Sequence, residues 1–264
     1  MVGAPTTAPK TSWLAHVDRL LRGQLTGADD LRAGRGLPAA QLAFACVVLG
    51  TLYGAMMGLY SVSMRGTPGA WQVLSSAIKV PLLFGCTLVV TLPSLYVVSA
   101  LARSRLDLRQ TASLLIAAIA VNLALLASFG PITAFFTFST DSYAFMIVLN
   151  VFFFGISGFV GARFLWRALS VVIVDEPVLA PEQPPADDQR PIATAAQRSL
   201  AAREGRAAGY VFRFWIIIYG VVGAQLGWIL RPFIGNPELP LAVLRQREDS
   251  FLTGFVDALV RLLD

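Results

Sequence analysis

The chain has 264 residues, 56% of them hydrophobic and 14% charged, with a mean hydropathy of +0.65 and a formal net charge of +5. Average soluble domains are much less apolar and carry nearly twice the charge, so this balance argues against a water-soluble domain. It points to an all-α integral membrane protein.

Residues 1–37 form a polar N-terminal segment with Lys10, Arg19, Arg22, Arg32 and Arg35. The first apolar run begins only near Pro38, is long enough to span, and has no small-residue cleavage site after it, so it reads as a retained anchor rather than a signal peptide. Within the segment, "SWLAHVDRLLRG" places Trp13, Leu14, Val17, Leu20 and Leu21 on one helical face, with Ser12 as N-cap and Gly23 as stop. Such a helix either lies at the membrane interface or packs on the protein's own cytoplasmic end. His16 is the single histidine and reads as a surface residue.

Residues 38–170 hold four runs that meet the ~20-residue requirement of a ~30 Å hydrocarbon core, at 41–62, 80–102, 112–136 and 143–166. The first carries Gly50, Gly54 and Gly58 at four-residue spacing, a stripe on which another helix can approach closely. Lys79 stands at the start of the second, where a lysine snorkels to the interface, and Pro81 and Pro93 lie inside that run. Cys46 and Cys86 fall near opposite ends of their spans, too far apart for a disulfide, and read as free thiols. Asn122 and Asn150 are the polar pair expected to meet between the third and fourth spans. Ser157 and Gly161, with Gly158 and Ala162, repeat the small-residue pattern.

Residues 171–209 are rich in proline and alanine and have no aromatic residue, the composition of a flexible cytoplasmic linker. Its second half, 193–208, favours a helix leading into a fifth span at 210–231. That span holds Gly220 with Ala224, Gly223 with Gly227, and the polar Gln225. It ends in "GWILRPFIGNPELP", where Arg231 and Pro232 interrupt the apolar run and Gly-Asn-Pro is turn chemistry. Residues 232–264 then form an external turn and an amphipathic helix, with Phe251, Leu252, Phe255, Val256, Leu259, Val260 and Leu263 on one face.

Orientation follows from Lys and Arg, which resist translocation. With the N-terminus inside, 15 of the 21 basic residues fall on the cytoplasmic side. The short turn "ARSRLDLRQ" has three arginines and the turn "FSTDSY" has none, so five spans run N-in and C-out. The cytoplasmic side then holds 10 acidic residues and the whole excess charge, which anionic headgroups of a bacterial cytoplasmic (inner) membrane would attract. Membrane lipids and other membrane-protein subunits are the expected partners, and nucleic acid is not.

No Asp, Glu or His lies within an expected span, and no cysteine spacing suggests a ligand set. No catalytic residue, metal site or cofactor is therefore expected. Arg231 is a positive charge at an outer end where orientation gives it no reason to be, and it is expected to pair with Glu238 or a headgroup. Gln225, Trp228, Arg231 and residues 232–237 form the candidate binding element.

"QLGWILRPFIGNPELPLAVLR" resembles the last-span segment of an uncharacterised family of bacterial five-span membrane proteins carrying Leu-Arg-Pro-Phe-Ile-Gly-x-Pro. The matching positions are Gln225, Trp228, Leu230 through Gly235, Pro237, Leu244 and Arg245. The plan also resembles Yip1-like proteins, without their Asp-Leu-Tyr-Gly-Pro type signature. Neither resemblance implies a reaction. The expected function is that of a non-catalytic scaffold, assembly factor or accessory subunit. The alternative is a small transporter or channel for an ion, lipid or apolar solute using Asn122, Asn150, Gln225 and Arg231.

Overall fold

The computed structural model describes residues 12–25, 27, 37–101, 107–174, 213–230, 233–234 and 251–263. They form α1 (Trp13–Leu21), α2 (Ala39–Arg65), one 3₁₀ turn (Thr67–Gly69), α3 (Ala70–Leu101), α4 (Leu108–Ser139), α5 (Tyr143–Val174), α6 (Arg213–Ile229) and α7 (Phe251–Leu263). The expected linker helix at 193–208, and both Arg231 and Glu238, lie outside the described residues. Four helices, α2 to α5, are long and apolar enough to cross a membrane. The shorter α6 occupies the position of the expected fifth span.

α2 and α3 form a tight hairpin. Gly66 adopts φ +67°, a left-handed conformation that glycine takes without strain, and the chain reverses through the 3₁₀ turn. The glycine stripe of α2 then lies directly against α3. A methyl group at Gly50 would sit 3.3 Å from Pro81, one at Gly58 2.6 Å from the Val73 Cα, and one at Gly54 would strike the Ser76 carbonyl. The stripe is therefore filled by this same chain.

α3 begins at Ala70, ten residues before the expected start of the second span at 80. The polar residues of its first turns, Gln72, Ser76 and Lys79, are buried against neighbouring elements, so their polarity does not mark the helix end. Both Pro81 and Pro93 sit inside the continuous helix. α5 likewise runs to Val174, past the expected boundary at 170.

α4 is the central helix: 61% of its most apolar window is buried, against 28% for α5. Asp107 fixes its start with a capping box in which the Asp107 side chain accepts from backbone N–H groups and Gln110 accepts from the Asp107 N–H at 3.2 Å. Around α4 pack Tyr53, Met57, Val80, Leu83 and Phe153 of its neighbours. Outward-facing Phe44, Val47, Val89, Phe135, Phe152 and Phe159 leave a belt of apolar side chains around the bundle. So large an apolar surface is that of a multi-pass membrane protein, in which lipid covers it.

α6 runs alongside α3. Trp215 near its start meets Ser94, Gly227 lies 3.9 Å from a Leu83 methyl when given a Cβ, and residues 233–234 reach the first turns of α3. The two flanking helices pack on the bundle. α1 buries Val17 and packs Leu20 against Leu42, Ala117 and Val121, while Leu14 and Leu21 are exposed. α7 packs on α5 and presents Gly254 to the Trp228 ring, with Ala258 buried. Val256, Leu259 and Val260 of its apolar face remain exposed.

Candidate functional site

The bundle places its polar side chains at three levels, and each level ties helices together. At the end near the α2–α3 turn, Gln72 Nε2 donates to the Phe233 carbonyl at 2.9 Å, and the Ser76 hydroxyl donates to the same oxygen. A backbone carbonyl just beyond a helix end has no intrahelical partner, so two buried donors on α3 supply what the break in α6 leaves open. Ile234 is buried beside them. Phe233 and Ile234, the described part of "RPFIG", are therefore docked on α3. Trp228 belongs to the same docking, since its ring packs over Gly254 of α7.

Lys79 lies on the face of α3 that carries Gln72 and Ser76 and is only 4% exposed. The expectation that it snorkels at a helix start is corrected: the helix starts three turns earlier, and neighbouring elements enclose the side chain. The spacing Gln72, Ser76, Lys79 was the signal available in the sequence, because residues four and three apart share one helical face.

At the middle level Tyr53 donates to Asn150 Oδ1 at 2.7 Å, and Asn150 Nδ2 donates to the Met146 carbonyl at 2.8 Å. Thr133 lies within hydrogen-bonding reach of the Tyr53 hydroxyl, and the Tyr53 ring stands edge-on to Phe154. Asn122 is not part of this group. It lies opposite Gly161, where an added methyl would be 3.0 Å from the Asn122 Cβ, and its Oδ1 is buried with no hydrogen-bond partner among the described residues. Gly161 and Asn150 are eleven residues apart on α5, about 16 Å along the axis, so the two asparagines do not meet.

The remaining ties are near the ends. Tyr60 donates to the Asp141 carbonyl at 2.7 Å, fixing the α4–α5 turn to α2. At the opposite end Trp215 Nε1 donates to Ser94 Oγ at 2.9 Å, and the Arg213 guanidinium lies 5.4 Å from the Trp166 ring centroid. None of these partners is evident from apolar periodicity.

No family model matches this sequence, and no curated protein or solved structure shows significant similarity to it. The reading therefore rests on the sequence and the geometry of this chain. Among the described residues no group of His, Cys, Asp and Glu is placed to hold a metal ion, and Cys46 and Cys86 are free thiols.

The small residues expected to pack divide into two sets. Gly50, Gly54, Gly58 and Gly161 meet other helices of the chain, and Ser157 is buried with its hydroxyl on the Phe153 carbonyl at 2.8 Å. On α6, a Cβ at Gly220 or Gly223 would meet nothing within 4 Å, and Gly227 makes only an ordinary contact with Leu83. Gln225 is exposed on the outer side of the same helix, away from the bundle.

Proposed function

We propose that the chain is a five-span, N-in and C-out protein of a bacterial cytoplasmic membrane that acts as a non-catalytic scaffold or accessory subunit. The observation that carries this reading is how the polar groups are used. Tyr53 with Asn150, Gln72 and Ser76 with the Phe233 carbonyl, and Trp215 with Ser94 each bond one element to another. Asn150 is occupied by Tyr53, Asn122 lies about 16 Å away, and Gln225 faces outward, so these three do not line one path. That arrangement favours a framework over a conduit.

The fifth crossing is supported by the level of its contacts. α6 runs from Arg213 to Ile229, about 25 Å at ~1.5 Å per residue, and the facing stretch of α3 from Gln72 to Ser94 spans twenty-two residues, about 33 Å, against the ~30 Å hydrocarbon thickness. The arginines flanking residue 107 and their absence from the turn at 140–142 support the orientation. On this placement α1 lies at the inner surface with Leu14 and Leu21 toward lipid, and α7 lies at the outer surface with Val256, Leu259 and Val260 toward lipid. The resemblance at 225–245 agrees with the same plan.

Extraction from native membranes in a mild detergent, followed by mass measurement of the intact particle, tests the scaffold reading. We expect another membrane protein to leave the membrane with the chain in constant ratio. Purified chain that holds no other protein and conducts a solute in reconstituted vesicles would overturn it.

A further inference from the structure

The outer face of α6 carries an exposed carboxamide within its apolar surface. Phe214, Ile217, Ile218 and Val221 form an apolar stripe that is 39–65% exposed, and Gln225 continues it one turn further. Gln225 makes no hydrogen bond among the described residues. It lies ten residues beyond Trp215 and eight before Phe233, roughly midway between the two ends of the crossing. A carboxamide there has no water within reach, and lipid tails offer neither donor nor acceptor.

We infer that this face pairs with the same face of a second copy of the chain, with the two Gln225 side chains hydrogen-bonded to each other. Three features select a second copy over another occupant. All copies enter a membrane in one orientation, so a two-fold axis relating two of them runs along the membrane normal. Residues beside that axis meet their own counterparts at the same depth. A carboxamide carries both donors and an acceptor, so two of them satisfy each other reciprocally, which an apolar helix or a lipid tail does not. The positions 214, 218, 221 and 225 alternate four- and three-residue steps, the seam spacing of two helices packed at a shallow left-handed crossing. Gly220 and Ala224 border the seam, and at Gly220 no side chain holds a partner backbone away. The inference takes from the scaffold reading only that α6 crosses the membrane.

Disulfide cross-linking of the full chain in native membranes tests it. In a background carrying Cys46→Ala and Cys86→Ala, single cysteines are introduced as Val221→Cys, Gln225→Cys and, as controls exposed elsewhere on the bundle, Phe159→Cys and Leu82→Cys. Under mild oxidation the two α6 positions should give a covalent dimer and the two controls should not. Equal yields at all four positions, or none at the α6 positions, overturn the pairing. Energy transfer between labelled copies in vesicles gives a second reading. Gln225→Leu should weaken association about fivefold to tenfold, with Gln225→Asn retaining part of it. Unchanged association in Gln225→Leu overturns the role of the carboxamide. A cross-linker at 225 that captures only a different protein overturns the choice of a second copy. A cytoplasmic C-terminus would remove the crossing of α6 and the pairing with it, whereas a failed cross-link with the C-terminus outside removes the pairing alone.

Discussion

Asn122 and Asn150 are the same residue type, both buried in the same helical bundle, and the structure gives them opposite energetic signs. Asn150 accepts from Tyr53 and donates to Met146, so replacing it with leucine takes the acceptor from the buried Tyr53 hydroxyl and leaves only Thr133 within its reach. Asn122 Oδ1 already lacks a partner among the described residues, so replacing it removes an uncompensated polar atom. Asn150→Leu should destabilise the protein by about 1–2 kcal/mol, and Asn122→Leu should be neutral or stabilising. Detergent-titrated unfolding in mixed micelles measures both, and equal losses would show that the Tyr53 bond contributes nothing special. The sequence identified both residues but paired them wrongly. Register was the missing information, and it could be counted: Asn122 lies eighteen residues before the turn at 140–142 and Asn150 eight after it. Ten residues of helix is about 15 Å, too far for two side chains to share a depth. Lys79 was misplaced for a different reason, because a hydropathy window treats any lysine as a boundary while only tertiary packing shows it enclosed.

At the scale of helices, glycine has two meanings here. Gly54 lies under the Ser76 carbonyl, so Gly54→Ala should force α2 and α3 apart and cost about 1–3 kcal/mol. Gly220 has open space around it, so Gly220→Ala should be neutral or slightly stabilising because alanine is the better helix former. The same micelle assay compares them, and similar effects would contradict the close α2–α3 approach. The small-residue spacing was legible in both helices, but spacing cannot say which stripe is already filled. The helices themselves were legible because their apolar runs are long. Their ends were not, since α3 extends ten residues further back, through Gln72 and Ser76, which are buried and donate to the Phe233 carbonyl. "ILRPFIGNP" shows the same limit: its turn chemistry marks a break in the helix, and nothing local reveals that Gln72 and Ser76 hold the carbonyl beyond it.

For the whole molecule, composition alone establishes the apolar class, and four long helices with an apolar outer belt follow from it. The orientation is argued from arginine placement, and reporter fusions test it. A fusion at Arg105 should be active in the cytoplasm, and one after Asp264 should be active only outside. A C-terminal reporter active in the cytoplasm would mean that α6 turns back without crossing.

The central position of α4 bears on how the protein is made. Its sequence is apolar enough to enter the bilayer alone, yet 61% of its most apolar window ends up covered by other helices. Insertion and assembly are therefore separate events for this helix. As the chain emerges, α2 and α3 can close on each other through their glycine contacts. α4 then waits with one side bare until α5 follows across the short turn at 140–142. During that interval the nascent protein exposes Asn122, which Gly161 of α5 later covers, to lipid.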